Sequence, residues 1–189
     1  MSHTDAARPA GTPADPATEK IMTAFRRMVN TVETRPARAI GTARTSVRVA
    51  NGMTCEVSDG DWNLTLDLPE RWGGNGAGPN PGVYGRAALG SCLAMAYRRF
   101  AAANDLPIRS LQIEIEADYD ARGELGLSDV TPAYTEVRYI VSVESDAPAA
   151  EVRRVFDLAE RHCPYLVVWS QPMPMRRELR IERGDAPLS

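Results

Sequence analysis

GPNPGVYGRAALGSCL, residues 78–93, decides the fold. Beyond Pro81 come Val83, Ala87, Ala88, Leu89, Cys92, Leu93, Ala94, Met95, Ala96 and Phe100, which predict a helix over about 82–103 with almost no polar face in its first half. A helix that is apolar nearly all round is buried on most sides. Gly85, Ala87, Ala88, Gly90 and Ser91 are small and permit close approach of another backbone, a second helix included. Asn104-Asp105-Leu106-Pro107 ends the helix. It is approached through GGNGAGPNPG, residues 73–82, with five glycines and two prolines. Glycines in such number suggest a phosphate-binding segment, but no Gly-Lys-Ser/Thr follows and the GxGxxG spacing is absent. The segment reads as a flexible approach to the helix.

Upstream, the pattern is a β-meander. ARTSVRVA, residues 43–50, sets Ala43, Thr45, Val47 and Val49 on one face. Asn51-Gly52 is a hairpin signal, because a tight turn of type I′ wants positive φ at both positions. Met53, Cys55 and Val57 then alternate with polar neighbours, Asp59-Gly60 supplies a second turn, and Trp62, Leu64 and Leu66 alternate in turn. Two hairpins in series predict a three-stranded antiparallel sheet with one buried face, Cys55 and Trp62 among its core residues. Before it, Ile21, Phe25, Met28, Val29 and Val32 fall at helical spacing, with Thr18 or Asp15 as the cap and an end near Thr34 ahead of Pro36.

Downstream, Leu111, Ile113, Ile115, Ala117 and Tyr119 alternate with an acidic outer face, and Val137, Tyr139, Val141 and Val143 line one face of the next strand. Residues 121–131 connect the two. Asp146 is the expected cap of a helix in which Val152, Val155, Phe156 and Ala159 follow the i, i+3, i+4, i+7 rule. Pro164 weakens that helix directly after Cys163. Residues 175–181 read as a last strand with Leu179 and Ile181 inward. The order is helix, three strands, buried helix, two strands, helix, strand: an α+β arrangement without internal repeats.

The chain of 189 residues is 43% hydrophobic and 25% charged, enough apolar material for a core without metals or disulfides as staples. A net charge of −3 with no basic block argues against a general nucleic-acid binder. No apolar run approaches the roughly 18–20 residues of a membrane span, and there is no apolar export signal at the N-terminus. Three cysteines are too few for a disulfide scaffold, so a cytoplasmic chain is expected whose cysteine chemistry is redox or nucleophilic. Of two histidines, His3 lies in a tail, and a metal site or a hydrolase triad would rest on His162 alone. Ser91 and Ser170 stand in no Gly-x-Ser-x-Gly elbow. Nothing points to a metal, flavin, haem or nucleotide cofactor.

Cys92 lies in Ala-Ala-Leu-Gly-Ser-Cys-Leu and Cys163 in Glu-Arg-His-Cys-Pro. Read by packing alone, both are small buried hydrophobes. The order Gly78-Pro79-Asn80-Pro81, then Ala87-Ala88-Leu89-Gly90-Ser91-Cys92-Leu93, a strand pair, a helix and Cys163-Pro164 closely resembles the OsmC/Ohr family, osmotically inducible protein C and the organic hydroperoxide resistance proteins. The resemblance covers roughly residues 40–183. It implies an α+β fold in which two β-sheets wrap central helices in an intertwined homodimer, with both cysteines in a pocket at the subunit interface. It divides the chain into a disordered tail at 1–16, an N-terminal helical extension at 17–37 outside the family core, an OsmC-like domain at 38–183 and a C-terminal tail at 184–189.

The activity it implies is a thiol-dependent peroxidase acting on organic hydroperoxides, with Cys92 peroxidatic, Cys163 resolving and an external dithiol as reductant. Active members hold the reactive cysteine with an arginine that a glutamate orients. That glutamate follows the Asn-Pro of the loop, where this chain has Gly82; Glu70 is a substitute candidate from the same loop. The arginine of Ohr-type members falls on the first hairpin, where this chain has Asn51-Gly52; that of OsmC-type members falls upstream of the glycine-rich loop, where Arg71 stands. Arg86 is one and a half helical turns before Cys92, off its face, and reads as a structural ion-pair residue. His162 adjoins Cys163 but points about 100° away on a helix. Trp72 and Trp169 are candidates for the pocket wall. The missing glutamate also leaves open a non-catalytic member that binds a small apolar ligand in the interface pocket.

Overall fold

Asp15 starts the first helix, α1 (Pro16–Thr34): its carboxylate accepts from the Ala17 amide and Pro16 fills the first turn, where a missing N–H costs nothing. The structure is a computed structural model that describes residues 15–181. The sequence-predicted tails therefore lie, apart from Asp15 and Pro16, outside the described residues, as does His3, while Ile181 is the last residue described. A 3-10 turn at Pro36–Ala39 follows α1. Then come β1 (Ser46–Asn51), β2 (Thr54–Asp59) and β3 (Trp62–Leu66), a 3-10 turn at Glu70–Trp72, and the long helix α2 (Pro81–Ala103). The second half contains β4 (Ser110–Tyr119), the short α3 (Ala121–Glu124), β5 (Tyr134–Glu144), α4 (Ala149–Glu160) and α5 (Pro164–Ser170). Among the described residues no helix is long and apolar enough to cross a membrane.

The meander forms as expected, order β1-β2-β3, but both turns fall one residue later than predicted. Asn51 pairs with Thr54 and Asp59 with Trp62, so the turn residues are Gly52-Met53 and Gly60-Asp61. Each turn puts its glycine first, at φ +59° and +55°, as a II′-type hairpin requires, and Asn51 stays in the strand. Register pairs Val47, Val57 and Leu64 across the sheet, and Val49, Cys55 and Leu66 beside them. This apolar face is not buried by the chain itself: Val47, Val49 and Leu64 are exposed, Trp62 is 75% exposed rather than core, and Cys55 is half-buried.

α2 begins where the sequence demands. Asn80 caps it by accepting from the Val83 amide, with Pro81 as the first helical residue. Leu89, Leu93, Ala96, Tyr97 and Ala101 of α2 meet Val155, Phe156 and Ala159 of α4, with Leu106 and Cys163, in the buried core. Tyr97 stacks on Phe156 with ring centroids 4.2 Å apart. The antiparallel β4–β5 pair covers this core with Leu111, Ile113, Ile115, Val137, Tyr139, Val141 and Val143. Tyr119 departs from the alternation: the register shifts between Asp118 and Tyr119, and the ring is exposed. α1 lies on α2 through Phe25 against Phe100, the Arg99 guanidinium over the Phe25 ring, and an Asp15–Arg98 ion pair.

Two further expectations are corrected. Asp146 does not cap α4: it pairs with Arg109 at 2.7 Å, and Pro148, which has no cap hydrogen bond, precedes the helix. Residues 175–181 form no strand; Leu179 and Ile181 are 66% and 79% exposed. Alternation specifies a face, but a ladder needs a partner edge, and among the described residues none takes up this segment.

Candidate functional site

α2 carries Cys92 half-buried on the side that meets α4 and α5, and Cys163 stands fully buried between those two helices. The sulfurs are 3.5 Å apart, and the Cys163 thiol donates toward Cys92 Sγ. The two residues that the family resemblance sets in one pocket are thus in contact as free thiols. Pro164 is the reason Cys163 is held there: instead of merely ending α4 it opens α5, with Cys163 as the capping residue. Burial pushes the Cys163 thiol above its ordinary range, the nearby Cys92 sulfur pushes the same way, and the amides of Leu166 and Tyr165 pull it back only in part. Cys163 is therefore held as a neutral S–H donor facing the more accessible Cys92 sulfur.

Beside Cys163 lies a polar cluster that the sequence analysis missed. Tyr97 donates to Glu160 Oε1 at 2.6 Å and Tyr139 donates to Oε2 at 3.3 Å. Burial, followed by the Glu160 carboxylate, pushes both phenols above their ordinary range. The signal was present: Glu160 falls four residues after Phe156, on the apolar stripe of α4, where an acid has to be paired.

The glycine-rich approach does cradle an anion, but its own. The buried Asp67 carboxylate accepts from Thr54 Oγ1 and from the amides of Leu68, Asn75 and Ala77. Burial raises the Asp67 pKa, but these four hydrogen bonds together outweigh it and hold the carboxyl below its usual range. A Cβ on Gly74 would lie 1.9 Å from the Leu68 carbonyl oxygen, and one on Gly78 would lie 2.4 Å from that of Thr65. These glycines serve close approach, not ligand binding.

The arginine and glutamate weighed from the sequence as activating residues are placed differently from the cysteines. Arg71 and Glu70 sit exposed on the 3-10 turn, and Arg71 makes no hydrogen bond or ion pair among the described residues. A Cβ at Gly82 would lie 2.9 Å from the Tyr134 hydroxyl and 3.2 Å from Arg86 Nη1. Arg86 donates to that hydroxyl at 2.8 Å, so it is fastened by a phenol rather than in the ion pair expected of it. Trp169 stacks on Tyr134 at 5.8 Å and packs over Gly85; Trp72 is exposed. The exposed His162 ring stacks on Phe100. Two open grooves, about 810 and 390 Å³, run along α1 and include neither Cys92 nor Cys163 in their walls.

A mixed α+β chain with two small antiparallel sheets and a long central helix is the arrangement of the OsmC-like structures. The chain belongs to that family: the family model for OsmC-like proteins matches residues 73–176. Among solved structures it is similar to an OsmC-like protein from Mycoplasma pneumoniae, with 15% identity, a TM-score of 0.59, and 68% of this chain and 87% of that one covered. It is similar in the same way to the organic hydroperoxide resistance protein OsmC from Legionella pneumophila (18% identity, TM-score 0.51, 69% and 90% covered). A third is an organic hydroperoxide resistance protein from Elizabethkingia anophelis (14%, 0.53, 69% and 89%). At these identities the likeness concerns the fold. No curated protein sequence matches significantly.

Proposed function

We propose that the protein is a thiol-dependent peroxidase that reduces organic hydroperoxides, with Cys92 peroxidatic and Cys163 resolving. The observation that carries the reading is the 3.5 Å contact in which a buried, protonated Cys163 donates toward the more accessible Cys92 sulfur. A thiolate is the nucleophile in such chemistry, and Cys92 is the more accessible of the two sulfurs. The Cys92 thiolate attacks the outer oxygen of the hydroperoxide. The O–O bond breaks, the alkoxide takes a proton and leaves as alcohol, and Cys92 becomes a sulfenic acid. Cys163 then attacks that sulfur; the S–O bond breaks and the hydroxyl leaves as water with the Cys163 proton. The resulting disulfide is returned to two thiols by an external dithiol, which supplies the two electrons that the peroxide consumed.

Arg71 is the proposed activating arginine. Apolar neighbours favour alkyl or lipid hydroperoxides over hydrogen peroxide. The working unit is read as a homodimer: Val83, Ala87, Ser91 and Met95 form an exposed stripe along α2, and the apolar face of the β1–β3 sheet is uncovered. A cytoplasmic setting agrees with free thiols that must be re-reduced.

Gly82 favours a second reading, a catalytically impaired member that binds a small apolar ligand, since among the described residues no carboxylate holds Arg71. The test treats reduced protein with a slight excess of cumene hydroperoxide, counts free thiols and maps disulfides by mass spectrometry, with Cys92→Ser alongside. Expected is a rapid, dithiol-reversible Cys92–Cys163 disulfide in the parent and none in the variant. Unreactive thiols in folded protein would overturn the peroxidase and leave the binder.

A further inference from the structure

We infer that Glu160, gripped by Tyr97 and Tyr139, is a positioning residue that sets Cys163 within reach of Cys92 for disulfide formation. In its catalytic setting the inference rests on the peroxidase reading, but the geometry itself does not require it.

Glu160 is the last residue of α4, and its carbonyl accepts the Cys163 amide at 3.1 Å, so the two residues move together. Its side chain is held from two different elements. Tyr97, fully buried, reaches it from α2, the helix that also carries Cys92; Tyr139, half-buried, reaches it from β5. A closed circuit results: Cys92, one continuous stretch of α2 to Tyr97, the Glu160 carboxylate, its backbone bond to Cys163, and the sulfur contact back to Cys92. An acid on an apolar helix stripe carries a desolvation penalty that a leucine there would avoid. What the acid supplies is two directed, charge-assisted bonds, one per oxygen, which fix the end of α4 in angle as well as distance. Both phenols stay protonated well above neutrality, so the donors persist across the working range.

The sulfurs must close from 3.5 Å to the roughly 2.05 Å of a disulfide, in line with the bond that leaves. A sulfenic acid at Cys92 has two competing fates: condensation with Cys163, or attack by a second peroxide to give sulfinic acid. The first is intramolecular, so its rate depends on how well the thiol is held; the second does not. Loosening the Glu160 grip therefore slows resolution and diverts Cys92 toward over-oxidation, while the encounter of Cys92 with the first peroxide stays the same.

The test compares Tyr97→Phe, Glu160→Leu and the conservative Glu160→Gln, which keeps one acceptor oxygen. Two readouts are taken on full-length protein whose fold is checked by circular dichroism. One is the ratio of Cys92 sulfinic acid to Cys92–Cys163 disulfide after cumene hydroperoxide. The other is the equilibrium between dithiol and disulfide forms in glutathione buffers, which needs no peroxide. Expected for Glu160→Leu is a fall of about tenfold or more in the effective concentration of the two thiols, and a matching rise in sulfinic acid, with partial rescue by Gln. Tyr97→Phe, which keeps the stack on Phe156, falls in between. A folded Glu160→Leu protein with unchanged glutathione equilibrium overturns the inference. Parent protein that ignores peroxide overturns the peroxidase reading instead, and the glutathione equilibrium still decides the role of Glu160.

Discussion

Cys92 and Cys163 are the same chemical group in unlike surroundings, and the proposed division of roles rests on that difference. Cys163 is fully buried and its thiol is pushed above the ordinary range, chiefly by that burial. A raised value in the folded state means that the neutral thiol is favoured, and the stability this brings is present below the ordinary thiol pKa. It is lost as pH rises through the higher folded value. The expected outcome of alkylation with iodoacetamide, read by peptide mass spectrometry, is that Cys92 is modified first near neutrality. Cys163 lags until the pH exceeds the ordinary thiol range, and in urea the lag disappears. Equal labelling of both cysteines in the native protein at neutral pH would remove the basis for calling Cys163 the resolving partner. Packing alone made the two cysteines small buried hydrophobes, and only the resemblance of the segments around them to the OsmC/Ohr family set them in one pocket. Glu160 was not legible in the sequence, because an acid near a helix end reads as solvated unless its place on the apolar stripe is weighed against Phe156 four residues earlier.

The elements show the same division between what pattern carries and what only tertiary partners decide. Alternation in β4 and β5 and the all-round apolar character of α2 are properties of residues near in sequence, and all three elements formed close to their expected limits. The position of each hairpin turn depended on which glycine could take positive φ at the first turn position, so both turns slid by one residue. The use of Asp146 depended on Arg109, far away in the chain, which took the carboxylate that the helix would have used. The glycine-rich loop is the sharpest instance. Its composition invited a ligand, yet its amides are spent on Asp67, which fastens the approach to α2 against β2 and β3. Asp67 is held below the usual carboxyl range, so its contribution to stability is complete above the ordinary carboxylate pKa and is lost as pH falls through the lower folded value. Asp67→Asn, which keeps the shape but loses the charge, is expected to lower the thermal midpoint at neutral pH and to flatten its fall as pH drops below the ordinary carboxyl pKa, relative to the parent. Parallel acid limbs for the two proteins would show that Asp67 is not the group that titrates.

At the scale of the molecule, one chain does not cover its own apolar surface. The β1–β3 sheet turns Val47, Val49, Trp62 and Leu64 outward, and α2 exposes Val83 and Met95 on the stripe that also carries Ala87 and Ser91. Contiguous apolar exposure of this kind marks an interaction surface. The small side chains at the centre of the stripe let a second helix come close, and a stripe that runs along a single helix suits a two-fold axis, across which each residue meets its own copy or a near neighbour. Met95, 67% exposed, is the position at which this can be tested without disturbing the chain itself. In a monomer, Met95→Glu exchanges one solvated side chain for another and changes stability by no more than about 0.5 kcal/mol. In a homodimer paired along α2, the same change sets two carboxylates near the axis, where like charges repel in a partly desolvated seam. Sedimentation velocity at micromolar concentration is expected to show a dimer for the parent and a folded monomer for Met95→Glu. A dimer unaffected by the charge would move the interface to the sheet face, and a monomeric parent would remove the need for a partner and with it the reading of the cysteine site as an interface pocket.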